Sequence, residues 1–165
     1  MMIDRSTSAT LDRIFDEMYN LISEANRIPL TDKIIISVFH NPGKDKAMFT
    51  MEERVEMLRD ATKHIPNARV TCFSGLLNEF CRQEKAPFIV RGLRAFSDFE
   101  YEFQRALLIK KIDNNLETVF IMTNANYSFL SSSGIRELAT FGGCIHGLVP
   151  ECVEDRIKSL VISKE

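Results

Sequence analysis

The stretch that decides the fold is KIIISVF, Lys33–Phe39. Apolar residues stand on both alternating positions, with only Ser37 interrupting them. A strand exposed on one face would alternate apolar with polar, so this run reads as a strand covered on both faces. Three further runs read the same way: Ala68–Phe73 (ARVTCF), Pro87–Val90 (PFIV) and Thr118–Met122 (TVFIM). Helical patterns lie between them. Thr50 followed by Glu53 forms a capping box, because the Thr hydroxyl can accept an amide while Glu53 reaches back. The helix it starts brings Val55, Leu58 and Thr62 near one face. Gly75–Glu84 reads as a second helix, carrying Leu76, Leu77, Phe80 and Cys81, with Ser74 as its cap. Ser97–Ile112 is a third, with Phe99, Phe103, Ala106 and Leu107 as the apolar stripe that seeks the core. Ser131–Phe141 and Pro150–Val161 are the fourth and fifth, Pro150 sitting in a first turn where no amide donor is needed. Strand–helix alternation predicts an α/β domain, a parallel sheet with helices on both faces. Ligands of such sheets bind beyond the carboxyl ends of the strands.

The chain has 165 residues, enough for one domain over 1–165 with a real core. Its 21 basic and 23 acidic side chains give a formal charge of −2, which predicts no bulk attraction to nucleic acid or to an anionic membrane. The longest apolar runs fall far short of the roughly 20 residues that span a bilayer. The N-terminus MMIDRSTSA has no apolar signal core, so a cytosolic protein is expected. Cys72, Cys81, Cys144 and Cys152 form no Cys-x-x-Cys and no zinc spacing, and read as ordinary thiols.

Four groups of residues follow the predicted strands. His40 to Lys46 is a turn with lysines, either a solvated loop or an anion contact. Ser74 to Leu77 offers Leu76 and Leu77 as the walls of an apolar slot, or as core. Arg91-Gly92-Leu93-Arg94 supplies two guanidiniums able to grip phosphate oxygens in pairs; the alternative is ion pairing with Asp98 or Glu102. Ser131, Ser132 and Ser133 bring hydroxyls and free amides to a helix start, an anion site by geometry and dipole, whereas capping alone needs one serine. Two such sites and a basic loop at one edge suggest a nucleotide together with a second phosphorylated ligand.

The same residues carry a resemblance to the bacterial phosphopantetheine adenylyltransferases. It rests on five ordered motifs: Asn41 to Lys44 with Met48 to Val55, Phe73 to Leu77, Ile89 to Ala95 with Asp98 to Glu102, Tyr127 to Ser133 with Arg136 and Glu137, and Gly147 to Pro150. It covers 33–165, leaving 1–32 as a divergent segment. The resemblance implies a Rossmann-like sheet, transfer of AMP from ATP to 4'-phosphopantetheine giving dephospho-CoA and pyrophosphate, Mg²⁺ with the ATP, and a homohexamer. It also implies roles. Lys44 and Arg91 would hold the phosphopantetheine phosphate, and Leu77 would contact the pantetheine arm. Gly92, Leu93 and Arg94 would bind ATP phosphates, and Glu102 the nucleotide. Tyr127, Ser128, Phe129, Leu130, Ser131, Ser132 and Ser133 would wrap the adenine and phosphates. The lysine loop has one residue more than the family pattern: counting from Pro42 picks Lys44, counting back from Phe49 picks Asp45, and Lys46 is a reserve.

The N-terminus departs from the pattern. Family members open with a buried strand and Gly-x-Phe-Asp-Pro-x-Thr-x-Gly-His, whose histidine stabilises the transition state. Placing Leu11-Asp12 on the family's Leu-Asp puts Thr10 at the histidine, Ala9 at the glycine, and Asp4 and Thr7 on the Asp and Thr. The first family strand is therefore expected to be absent or replaced, with an amphipathic helix from Leu11 (Ile14, Phe15, Met18, Leu21, Ile22) covering the sheet. Three explanations follow: a misassigned or truncated start, a replaced segment leaving a binder of CoA-type nucleotides without turnover, or a substitute histidine, for which His40 lies at the right edge.

Overall fold

The computed structural model describes residues 2–4, 33–39, 48–94 and 96–162. Five strands form one parallel sheet: β1 (Met2–Asp4), β2 (Ile34–Phe39), β3 (Ala68–Phe73), β4 (Phe88–Leu93) and β5 (Glu117–Met122), in the order β3-β2-β1-β4-β5. The five helices among the described residues are α1 (Met51–Thr62), α2 (Leu77–Glu84), α3 (Phe96–Ile112), α4 (Ser132–Thr140) and α5 (Glu151–Ile162). Buried Val55, Leu58, Ile135, Val153 and Ile157 pack α1, α4 and α5 with Ile34, Ile36, Val38 and Val90 on one face. Leu77, Phe80, Cys81 and Ile109 pack α2 and α3 with Ile35, Phe39 and Ile89 on the other. The parallel α/β sheet expected from strand–helix alternation, Rossmann-like as the resemblance implies, is thus present, and all six residues of β2, Ser37 included, are buried as a strand covered on both faces requires.

An absent first strand is corrected: β1 fills the centre of the sheet. Met2, Ile3 and Asp4 pair with Ile35, Ile36 and Ser37, and on the other side Met2 and Ile3 pair with Ile89 and Val90. Three residues are too few to show a periodicity; their strand is dictated by backbone donors and acceptors of two longer neighbours that must otherwise be satisfied inside the core. Asp4 is its last residue, at the carboxyl end.

Other boundaries moved for identifiable reasons. β4 runs past Val90 to Leu93, because β5 offers a full ladder that pairs Arg91 with Phe120, Gly92 with Ile121 and Leu93 with Met122. α2 starts at Leu77 rather than Gly75, and its N-cap is Leu76 with no side-chain cap, so Ser74 does not serve. Gly75 is the cause: at φ 139° it turns the chain before the helix, and a Cβ there would lie 2.9 Å from the Phe73 ring. Pro150 precedes α5, its carbonyl accepting from Val153 and Glu154 amides at 2.9 and 3.0 Å.

The stripe of α3 is also corrected. Phe99, Phe103 and Leu107 are exposed, as are Leu108 and Ile112, and the helix turns Glu102 and Ile109 inward. Phe99 stacks with Phe103 and meets Phe120 of β5 edge-on. β5 is an edge strand, so Val119 and Met122 are exposed and its apolar run is not covered on both faces. The predicted helix from Leu11 lies outside the described residues.

Candidate functional site

In the order β3-β2-β1-β4-β5 the connections reverse direction between β1 and β4. The helices following strands on the two sides cover opposite faces there, opening a crevice beyond the carboxyl ends. Arg91, Gly92 and Leu93 end β4 on its rim, and Arg94 follows directly.

Strand alternation decides where each arginine goes. Arg91 falls on the same face as Ile89, towards α3, where its Nε lies 3.6 Å from Glu102 Oε2. Both side chains are only 4% exposed. Of the alternatives at Arg91, the ion pair with Glu102 exists, but as a buried pair and not a surface one. A cation so far from water needs a counter-charge.

Arg94 lies just beyond the strand, between α3 and the loop that leads to α4. Its Nε donates to Asp98 Oδ2 at 3.1 Å, and its Nη1 donates to the Leu130 carbonyl at 2.8 Å. Asp98 Oδ2 also accepts from the Arg94 amide at 3.4 Å. One guanidinium thereby ties the end of β4, the first turn of α3 and the residue before Ser131. The rim and the serine-started helix, separate in sequence, meet through this contact.

Ser131 is the N-cap of α4, accepting from the Gly134 amide at 3.1 Å, and its Oγ lies 3.2 Å from the Ser133 hydroxyl. Capping therefore accounts for Ser131, and Ser133 stands beside it on an exposed surface. Tyr127 closes a short turn whose carbonyl accepts from the Leu130 amide at 3.1 Å. Leu130 is buried in the core, whereas Ser128 and Phe129 are exposed. Leu77 is core against Phe80 and Phe39, and Leu76 is its exposed neighbour. The Ser132 side chain, Thr10, His40, Lys44, Asp45 and Lys46 lie outside what the structure describes.

One cation on this rim was not singled out from the sequence. Arg54, in the first turn of α1, is half-buried, and its Nε donates to the Thr50 carbonyl at 3.2 Å. Burial pulls its guanidinium below its ordinary value. A basic residue in a helix's first turn opposes the helix dipole, and that mismatch is the signal that points to it. His64 follows α1 at the amino edge of the sheet, and His146 pairs with Glu154 at 3.1 Å in the turn before α5. Neither reaches the rim. Among the described residues no three His, Cys, Asp or Glu side chains cluster to hold a metal ion, and no helix is long and apolar enough to cross a membrane.

A parallel sheet in this order, with arginines and a serine-capped helix joined at its carboxyl rim, defines a nucleotidyltransferase-like α/β protein. The Cytidylyltransferase-like family model matches residues 19–138. The phosphopantetheine adenylyltransferase of Clostridium botulinum (strain 657 / Type Ba4) is 47% identical over 156 residues, covering 94% of this chain and 93% of that protein. That of Moorella thermoacetica is 51% identical over 145 residues, 88% and 89% of the two chains. The chain belongs to the phosphopantetheine adenylyltransferase family within the cytidylyltransferase-like proteins.

Proposed function

We propose that this chain transfers AMP from ATP to 4'-phosphopantetheine, releasing pyrophosphate and forming dephospho-CoA in coenzyme A biosynthesis. The observation that carries the reading is the Arg94 contact with the Leu130 carbonyl, which joins the arginine rim to the serine-started helix. Arg91 and Lys44 take the phosphate of 4'-phosphopantetheine, and Leu77 borders its pantetheine arm. Gly92, Leu93 and Arg94 face the ATP phosphates. Tyr127, Ser128, Phe129 and Leu130 border the adenine, and Ser131, Ser132 and Ser133 offer hydroxyls and helix-start amides to phosphate.

The reaction is a single displacement. A phosphate oxygen of 4'-phosphopantetheine forms a bond to the α-phosphorus of ATP, and the bond from that phosphorus to pyrophosphate breaks. Such transfer needs alignment and positive charge on oxygens that gain negative charge, more than covalent help. Arg94 and the amino end of α4 supply that charge beside the leaving pyrophosphate. Mg²⁺ fits as an ion riding on the ATP phosphates, since this cation keeps phosphate and water ligands and needs no protein cage. Bound there, it would neutralise charge on the leaving group.

Exposed Phe99, Phe103, Leu107 and Leu108 on α3, beside Val119 and Met122 of β5, support a homo-oligomer, a hexamer in this reading. The chain is taken as one domain over 1–165, acting in the cytoplasm on small phosphorylated molecules and not on nucleic acid or membrane.

A second reading is a binder of CoA-type nucleotides without turnover. The observation favouring it is Thr10 at the approximate place of the family histidine, with His64 and His146 both away from the rim. A hydroxyl cannot match an imidazolium as a charged donor. Calorimetric titration with dephospho-CoA, followed by a pyrophosphate-release assay with both substrates, separates the two. Binding with turnover supports the enzyme; binding without turnover supports the second reading; absence of both rejects each.

A further inference from the structure

We infer that Arg54, in the first turn of α1, is a further binding residue for ATP, gripping the two terminal phosphates that leave as pyrophosphate. This rests on the substrate reading above and deepens it: a second cation joins Arg94 at the leaving group, on a helix to which that reading gives no part.

Two helices open at the carboxyl rim on one face of the sheet, and both are moored in the same way. Phe49 is buried and precedes Thr50, the N-cap of α1; Leu130 is buried and precedes Ser131, the N-cap of α4. Phe49 and Leu130 belong to one core cluster, which Val55 of α1 and Ile135 of α4 also enter. The amino ends of α1 and α4 therefore approach the rim from the same side. Arg91 falls on the opposite side, with Ile89 and towards α3. The substrate reading puts the ATP phosphates at the start of α4 and the phosphate of 4'-phosphopantetheine on Arg91, so a cation on α1 belongs with the ATP.

Among the described residues Arg54 is a cation without a paired carboxylate. Its Nε donates to the Thr50 carbonyl at 3.2 Å, which ties one edge of the guanidinium and leaves both Nη groups without a partner among the described residues. The neighbouring Glu53 is taken by the Thr50 amide at 2.7 Å. Other arginines that are removed from water differ: Arg94 has Asp98 at 3.1 Å, Arg91 has Glu102 at 3.6 Å, and Arg156 has Glu56. Half-buried, Arg54 has lost part of its hydration, and the first turn sets it against the positive end of the helix dipole. An anion in front of the Nη pair would offset both effects, and a planar fork with two free NH₂ groups matches phosphate oxygens. The β- and γ-phosphates hold most of the negative charge of ATP, and they gain more as the bond to the α-phosphorus breaks. A cation placed where charge develops favours that step.

The test titrates ATP, AMP and dephospho-CoA separately, by calorimetry, into the wild type, Arg54→Gln and Arg54→Lys, with a melting curve for each. Neither AMP nor dephospho-CoA carries the leaving pyrophosphate. Arg54→Gln is expected to weaken ATP by about tenfold while AMP and dephospho-CoA stay within about twofold. Arg54→Lys keeps the charge without the fork and is expected to fall between wild type and Arg54→Gln for ATP. Melting temperature is the readout that a merely structural role would move: taking an unpaired cation from the positive end of a helix should leave it unchanged or raise it. Unchanged ATP affinity in Arg54→Gln, or equal loss of all three ligands with a lower melting temperature, overturns the inference while leaving the substrate reading intact. So does a failure of Arg54→Gln to fold, which would make Arg54 a support of the fold, and so does a wild type that takes dephospho-CoA yet binds ATP no tighter than AMP. A wild-type chain that binds none of the three rejects the substrate reading, and this inference with it.

Discussion

Arg91 shows how much a single position can carry. Its place after an apolar run is readable in the sequence; its pairing with Glu102 inside the protein is not, because that depends on which way α3 is rotated. In the account above it is the main cation for one substrate phosphate, so Arg91→Ala should weaken 4'-phosphopantetheine by one to two orders of magnitude, roughly the loss expected of a buried charged contact. Unchanged affinity in a titration would refute its role. Gly75 is a second decisive residue. At φ 139° and with a Cβ landing 2.9 Å from the Phe73 ring, Gly75→Ala should cost about 2 kcal/mol in denaturant unfolding; a variant as stable as wild type would show that the turn tolerates a side chain. Ser37 is the converse case. Its hydroxyl is fully buried in β2 with no hydrogen-bond partner among the described residues, so Ser37→Ala should leave stability unchanged or raise it by about 1 kcal/mol. A clear loss would contradict that.

At the scale of elements, the capping box at Thr50 was legible to the atom: the Glu53 amide donates to Thr50 Oγ1 at 3.2 Å and the Thr50 amide to Glu53 Oε2 at 2.7 Å. Local chemistry of that kind is written in adjacent residues. The stripe of α3 was not legible, because periodicity reports an apolar face without saying whether core or another surface covers it. β1 was illegible for a different reason: its strand character comes from its neighbours. Acid stability belongs to this scale too. The Asn115 amide and then Arg82 hold the Asp113 carboxyl below the usual carboxylate range, closing the turn between α3 and β5. Lys158, with a smaller part from His146, does the same for Glu154 on α5. Depressed carboxyls give stability that is complete above their unfolded values, near ~4, and is lost as pH falls through the folded ones. Urea unfolding should therefore weaken on acidification below about pH 4, and Asp113→Asn or Glu154→Gln should flatten that limb. An unaltered acid slope in both variants would show that these contacts do not couple to folding.

At the scale of the whole molecule, the proposed function sits at a topological switch between β1 and β4. Sequence gave the alternation of strands and helices, hence the class of sheet and the rim to search. It did not give the contact between Arg94 and Leu130, residues 36 apart, because such meetings are made by tertiary packing and not by local pattern. Nor did it give the apolar surface of α3 and β5, which appears only when the helix orientation is known. If that surface joins copies, native mass spectrometry should find a hexamer, and Leu107→Glu, charging its middle, should break it into smaller species; a monomeric wild type would contradict this. Calorimetric titration of the wild-type chain with dephospho-CoA probes the proposed substrate and nucleotide halves of the rim together. Saturable binding is expected, one molecule per chain, weakened by salt and by Arg91→Ala. Absence of binding heat at ligand concentrations up to the millimolar range would contradict it.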